Sequence, residues 1–204
     1  MQILLFEVEP KEGHEDLYFR RAQSLKPLLD NHPGLLYLER FKSLSRPNVI
    51  LSHQHWQDEA AIAKWRADGT HYQSQEAGRY KHFADYRLRV GHVLEHRRSD
   101  GQSTQAPLVG LYRENDEEKR RFVVVSYSSE PPESGGGETF KSVTSDESYA
   151  TVFEVAGLHT AQDLLSSLSD ENAVTGGLIS VITRDYGMYE REQAPQYFAP
   201  QEKP

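Results

Sequence analysis

Trp65-Arg66-Ala67-Asp68-Gly69-Thr70-His71-Tyr72-Gln73-Ser74-Gln75-Glu76-Ala77-Gly78-Arg79, followed by Tyr80 to Ala84 and then Asp85-Tyr86-Arg87-Leu88-Arg89-Val90, is the stretch on which the reading of this chain turns. Helix-forming residues run to Gly78, where a left-handed C-terminal position suits glycine, and Tyr86, Leu88 and Val90 then alternate as in a half-buried strand. Asp68-Gly69-Thr70 interrupts the helix. Working backwards, Asp58 is a natural N-cap for the helix that carries Ile62 and Trp65. Val49 to Trp56 and Leu35 to Ser43 read as strands joined by the turn Ser45-Arg46-Pro47-Asn48. Tyr18, Ala22, Leu25 and Leu29 mark one face of an earlier helix that His32-Pro33-Gly34 ends, and Pro27 predicts a kink or restart near Gln23 to Lys26. Residues 2 to 8 form the first strand. The order strand, helix, strand, strand, helix, strand is the ferredoxin-like one, so the fold class is α+β.

Forward of Val90 the pattern changes. Residues 97–107 are polar with Gly and Pro and read as a linker, dividing a domain at 1–96 from a second at 108–204. Leu108 to Tyr112 reads as a short strand, Arg113 to Arg120 as a charged turn, and Arg121 to Tyr127 as a strong strand. The Pro- and Gly-rich loop 129–137 stands where the first half has its long helix. Phe41-Lys42-Ser43-Leu44-Ser45 recurs 99 residues further on as Phe140-Lys141-Ser142-Val143-Thr144. At that offset the third strand falls on Ser148 to Val155, and Trp65 falls on Leu164, within a helix capped by Thr160 with Asp163 three on. A last strand runs from Leu178 to Thr183. These matches predict a degenerate tandem repeat lacking the first helix, its two halves making an intramolecular pseudo-dimer, with a further homodimer left open.

Composition narrows the classes. The chain has 204 residues, 37% of them hydrophobic and 26% charged, a formal charge of −8 and no cysteine. A basic nucleic-acid surface, a disulfide framework, a thiol nucleophile and a Cys-ligated metal are all excluded. The apolar run near Met1 lacks a basic flank and is too short for a signal peptide or membrane span, so a cytoplasmic location is expected.

The spacing of Trp65, His71 six on, Gln75 four later, then Gly78-Arg79 and the strand Tyr86-Arg87-Leu88-Arg89-Val90 resembles the antibiotic biosynthesis monooxygenase family of dimeric α+β barrels, over about residues 1 to 95. The ending Arg184 to Arg191 resembles the tail after the last strand of single-domain members. The resemblance implies an oxygenase using neither metal nor flavin, whose partners are a small electron-rich aromatic or quinol-like molecule and dioxygen. It places the pocket between sheet and helices of one half, with Trp65 lining it and Phe6, Gln75 and Tyr86 beside the substrate. His71, with a pKa near neutrality, is the candidate general base if the helix breaks before it, and an inward-facing Arg89 the candidate anion stabiliser. A non-catalytic ligand-binding or oligomerisation module of the same fold is the alternative. A haem-degrading branch of the superfamily requires a helix histidine and a first-strand asparagine where this chain has Gln75 and Phe6. His53 and His55, two apart on a strand, with His92 and His96 as possible partners, make a weak metal motif whose ordinary reading is a polar strand face. The second half has Leu164, Leu165 and Leu168 where the first has its chemistry, so one site per chain is expected.

Overall fold

The computed structural model describes residues 1–107, 120–132, 135–171 and 173–203. The expected strand at 108–112 and most of the charged turn that follows lie outside these residues. The elements are β1 (Gln2–Pro10), α1 (Glu15–Asp30), β2 (Leu35–Ser43), β3 (Ile50–Trp56), α2 (Glu59–Ala67), α3 (Gly69–Ala77), a π-helical turn (Gly78–His82), β4 (Phe83–Arg97), β5 (Ser103–Gln105), β6 (Phe122–Ser128), β7 (Glu138–Ser142), β8 (Tyr149–Val155), α4 (Leu158–Ser169) and β9 (Val174–Gly187). None of the described helices is long and apolar enough to cross a membrane.

The fold is α+β with two ferredoxin-like halves. In the first, the strand order is β4-β1-β3-β2; in the second, β6, β7, β8 and β9 take the places of β1, β2, β3 and β4 and give the equivalent order β9-β6-β8-β7. Among the described residues the connection from Ser128 to Glu138 carries no helix. Two compact units emerge, and they do not follow the linear halves. One comprises Met1–Glu39, Asn48–Val90 and Arg184–Pro204, the other Arg40–Pro47 and Gly91–Thr183.

In the first unit, α1 turns Tyr18, Ala22, Leu25 and Leu29 inward as their spacing requires, but runs unbroken through Pro27 where a restart was expected. The missing amide hydrogen bond is therefore absorbed in the last turn of a continuous helix. Leu4, Leu25, Leu29, Trp56, Ile62, Trp65 and Val90 pack together, with Phe6 and Leu88 against them. Burying each large apolar side chain contributes about 1.5–3 kcal/mol, so this layer fixes α2 on the sheet.

In the second unit, α4 buries Ala161, Leu165 and Leu168 against Phe122, Val124, Phe153, Ile179 and Val181. It starts at Leu158, after Gly157 and without a side-chain cap, rather than at Thr160. The repeated pentapeptides lie in β2 and β7, and they pair with each other. Phe41 faces Ser142, Lys42 faces Lys141 and Ser43 faces Phe140. Equivalent bonds flank the pairing, Leu44 N to Thr139 O at 2.9 Å and Val143 N to Arg40 O at 3.0 Å. Ser43 Oγ accepts from the Ser45 and Arg46 amides as Ser142 Oγ does from Thr144 and Ser145. The repeat is thus a local two-fold pairing, the self-complementary arrangement of an isologous interface. Within 97–107, where a linker was expected, Arg97 ends β4 and Ser103–Gln105 folds back on Glu95–Arg97 as a hairpin.

Candidate functional site

The helix does break before His71, and one residue makes the break. Asp68 is extended (φ −58°, ψ 128°); it ends α2 and caps α3, its Oδ1 accepting from the His71 amide at 2.9 Å. Asp58 caps α2 in the same way, Oδ1 accepting from Ala61 N at 2.8 Å. The Asp68 amide and His71 Nδ1 lie 3.2 Å and 2.9 Å from the Trp65 carbonyl. The imidazole stacks on the Trp65 indole, centroids 4.1 Å apart and planes 14° from parallel.

The tautomer follows. The Trp65 carbonyl only accepts, so Nδ1 carries the proton and Nε2 the lone pair. Gln75 Nε2 sits 3.0 Å from the same Nδ1 and gives its proton to the Arg66 carbonyl at 3.2 Å. Burial on the indole pulls the His71 pKa down to about 4, more than the Trp65 carbonyl and Asp68 restore. The expected value near neutrality is therefore corrected, and the imidazole is neutral at pH 7.

Phe6 and Tyr86 lie on the helix-facing side of the sheet with Phe83; Phe6 is 5.8 Å from the Tyr86 ring and 6.1 Å from that of Phe83. Phe6 also packs against the layer that holds Trp65, so it joins the two groups of residues. Gly78 is not left-handed. It is right-handed helical (φ −55°, ψ −56°) and leads into the π turn; glycine is needed because a Cβ there would collide with the Phe83 ring.

That turn buries Arg79, only 1% exposed. Its Nη1 donates to Tyr86 Oη at 3.2 Å and to the Met188 carbonyl at 2.6 Å, and its Nη2 to the Ala199 carbonyl at 3.1 Å. Arg191 Nη1 donates to the same phenol oxygen at 2.8 Å and to Gly187 O at 3.3 Å, and Nη2 to Gln196 O at 2.9 Å. The C-terminal segment is held by these arginines. Phe198 stacks on Tyr72, meets Tyr80 edge-on and receives both guanidinium groups on its face. Gln196 Nε2 donates to Gln75 Oε1, linking the tail to the His71 network. Nothing in the local sequence marks Arg79 and Arg191 as site residues, since no spacing rule joins positions so far apart.

Arg89 does not join this group. It lies on the opposite face of β4 from Tyr86 and Leu88, buried and ion-paired with Glu7 of β1. Arg87, on that face too, pairs with Asp185 at 2.6 Å. His53 and His55 are buried rather than solvent-facing, their Nε2 atoms 3.1 Å apart and both rings against Tyr37. Among the described residues no group of three or more His, Cys, Asp or Glu is placed to hold a metal.

Residues 1–77 match the antibiotic biosynthesis monooxygenase family model. The chain is 31% identical to the jasmonate monooxygenase ABM of Pyricularia oryzae over 219 residues, covering 98% of this chain and 99% of that protein. Among solved structures, an anthrone oxidase-like protein is 10% identical and covers 96% of each chain at a TM-score of 0.40. A Shewanella oneidensis protein is 19% identical and covers 44% of this chain and 86% of its own at 0.39. Scores at this level carry no weight for the fold, which rests on the strand orders given above.

Proposed function

The chain belongs to the antibiotic biosynthesis monooxygenase family, and from that premise we propose that it oxygenates a small organic molecule without metal or flavin, using one site built on α2, α3 and β4. The observation that carries this reading is the neutral His71 imidazole, stacked on Trp65 with Nε2 bearing the lone pair. Nε2 accepts the substrate's acidic proton. The resulting anion reduces dioxygen; where an activated CH2, as in an anthrone, becomes C=O, the substrate supplies all four electrons, so one oxygen atom enters the product and the other leaves with the two substrate hydrogens as water. Trp65, Phe6 and Tyr86 supply the aromatic surround, and Gln75 anchors α3 to the Arg66 carbonyl beneath the imidazole. Arg89 is left a structural part, holding β1 to β4.

The substrate classes supported are an electron-rich aromatic or quinol, from the family resemblance, and jasmonate, from the relative over the whole chain. Oxygen uptake by chelator-treated protein tests the reading, with an anthrone-type quinol and jasmonate offered in parallel. Consumption of the quinol without added flavin, metal or reductant is expected, and of jasmonate when a two-electron reductant is supplied; no uptake with either would leave the non-catalytic binding module. The two-fold β2–β7 pairing supports the further proposal that the halves make a pseudo-dimer in one chain, which sedimentation as a monomer would favour over a homodimer.

A further inference from the structure

Arg79 and Arg191 together carry two positive charges onto one oxygen, Tyr86 Oη, and among the described residues neither has a carboxylate partner. All the acceptors they use are neutral: one phenol and the carbonyls of Met188, Ala199, Gly187 and Gln196. Arg79 is almost wholly buried, and its Nε–H finds no acceptor among the described residues. Two guanidinium groups converging on one phenol, Arg79 buried and Arg191 half-buried, with no counter-anion among the described residues, repel one another, and Arg79 loses hydration that neutral carbonyls replace only in part. The Tyr86 oxygen, accepting from both, keeps its own proton for another acceptor. A buried Arg Nε–H, a phenol O–H and two cations with no carboxylate beside them among the described residues form a set of donors that an anion completes.

The surround is aromatic: Phe198 and Tyr80 on the arginine side, Phe83 and Phe6 around the Tyr86 ring. We propose that Arg79, Arg191 and Tyr86 form a subsite for the carboxylate of a small apolar acid, whose hydrocarbon part lies along Phe83 and Phe6 towards Trp65. This rests on the monooxygenase reading only in making the acid a substrate.

Calorimetric titration of the full chain with octanoate and with 1-octanol tests it. Octanoate is expected to bind saturably and about tenfold or more tighter than the alcohol, the scale of one charge-assisted contact. In Arg191→Gln, whose side chain is only half-buried, octanoate affinity should fall about tenfold and octanol affinity stay unchanged. Tyr86→Phe should act in the same direction, more weakly. Equal affinity for acid and alcohol, or unchanged octanoate binding in a folded Arg191→Gln protein, would overturn the subsite. So would inorganic phosphate binding as tightly as octanoate. The two readings fail separately. Oxidation of a neutral anthrone-type quinol with no charge-dependent octanoate binding removes the subsite alone, whereas arginine-dependent octanoate binding without oxidation of any substrate removes the oxygenase alone.

Discussion

The helix after β3 and the helix after β8 occupy equivalent places in the repeat, yet only one of them is broken. α4 runs without interruption from Leu158 to Ser169 and turns Ala161, Leu165 and Leu168 into its core. Its counterpart stops at Ala67 and restarts at Gly69, with Asp68 serving both ends. At the break the Trp65 carbonyl accepts from the Asp68 amide and, in addition, from His71 Nδ1. The difference teaches that one Asp-Gly step, not a new element, separates a helix that packs from a helix that also presents a neutral imidazole.

Substitutions can break that comparison. Trp65→Ala should cost about 3–5 kcal/mol of unfolding free energy, measured in denaturant, against about 1 kcal/mol for Leu164→Ala at the equivalent, half-buried position. His71→Ala should lower oxygen-uptake turnover about a hundredfold in a protein that keeps its circular dichroism, while Leu164→Ala leaves turnover unchanged. A smaller effect concerns pH. Because the folded His71 pKa is lowered, protonation favours the unfolded chain, so its contribution to stability is complete above about 6.5 and is lost as pH falls towards 4. The loss should be on the order of 2 kcal/mol by pH 5, absent in His71→Ala. Asp68→Ala and Asp58→Ala should each cost about 1 kcal/mol as lost caps, but only Asp68→Ala should also slow turnover.

Much of this was legible in the residues. The Asp68-Gly69 interruption, the Asp58 cap and the inward face of α1 were read from spacing, because local hydrogen bonding and periodicity decide them. The pentapeptide repeat revealed the second half, though not that its two copies pair with each other. Other features depend on distant neighbours. The place of Gly78 after a helix suggests a left-handed cap, whereas the ring of Phe83 is what excludes a side chain there. Arg89 was placed in the site by its inward face, but the inward side of that residue meets Glu7. Arg79 is seven positions from Tyr86, but Arg191 reaches the same phenol from 105 positions away through the tail, which no local pattern encodes. The lowered His71 pKa follows from stacking against Trp65, a tertiary contact that local sequence does not show.

The most direct measurement is an NMR titration of the His71 imidazole in the full chain, following both ring nitrogens with pH. A neutral ring protonated at Nδ1, titrating at about 4, well below the ordinary histidine value of 6.5, is the expected result. A midpoint near 6.5, or a proton on Nε2, would show that the break does not seat the imidazole on Trp65, and the claimed difference between the two helices would fall with it.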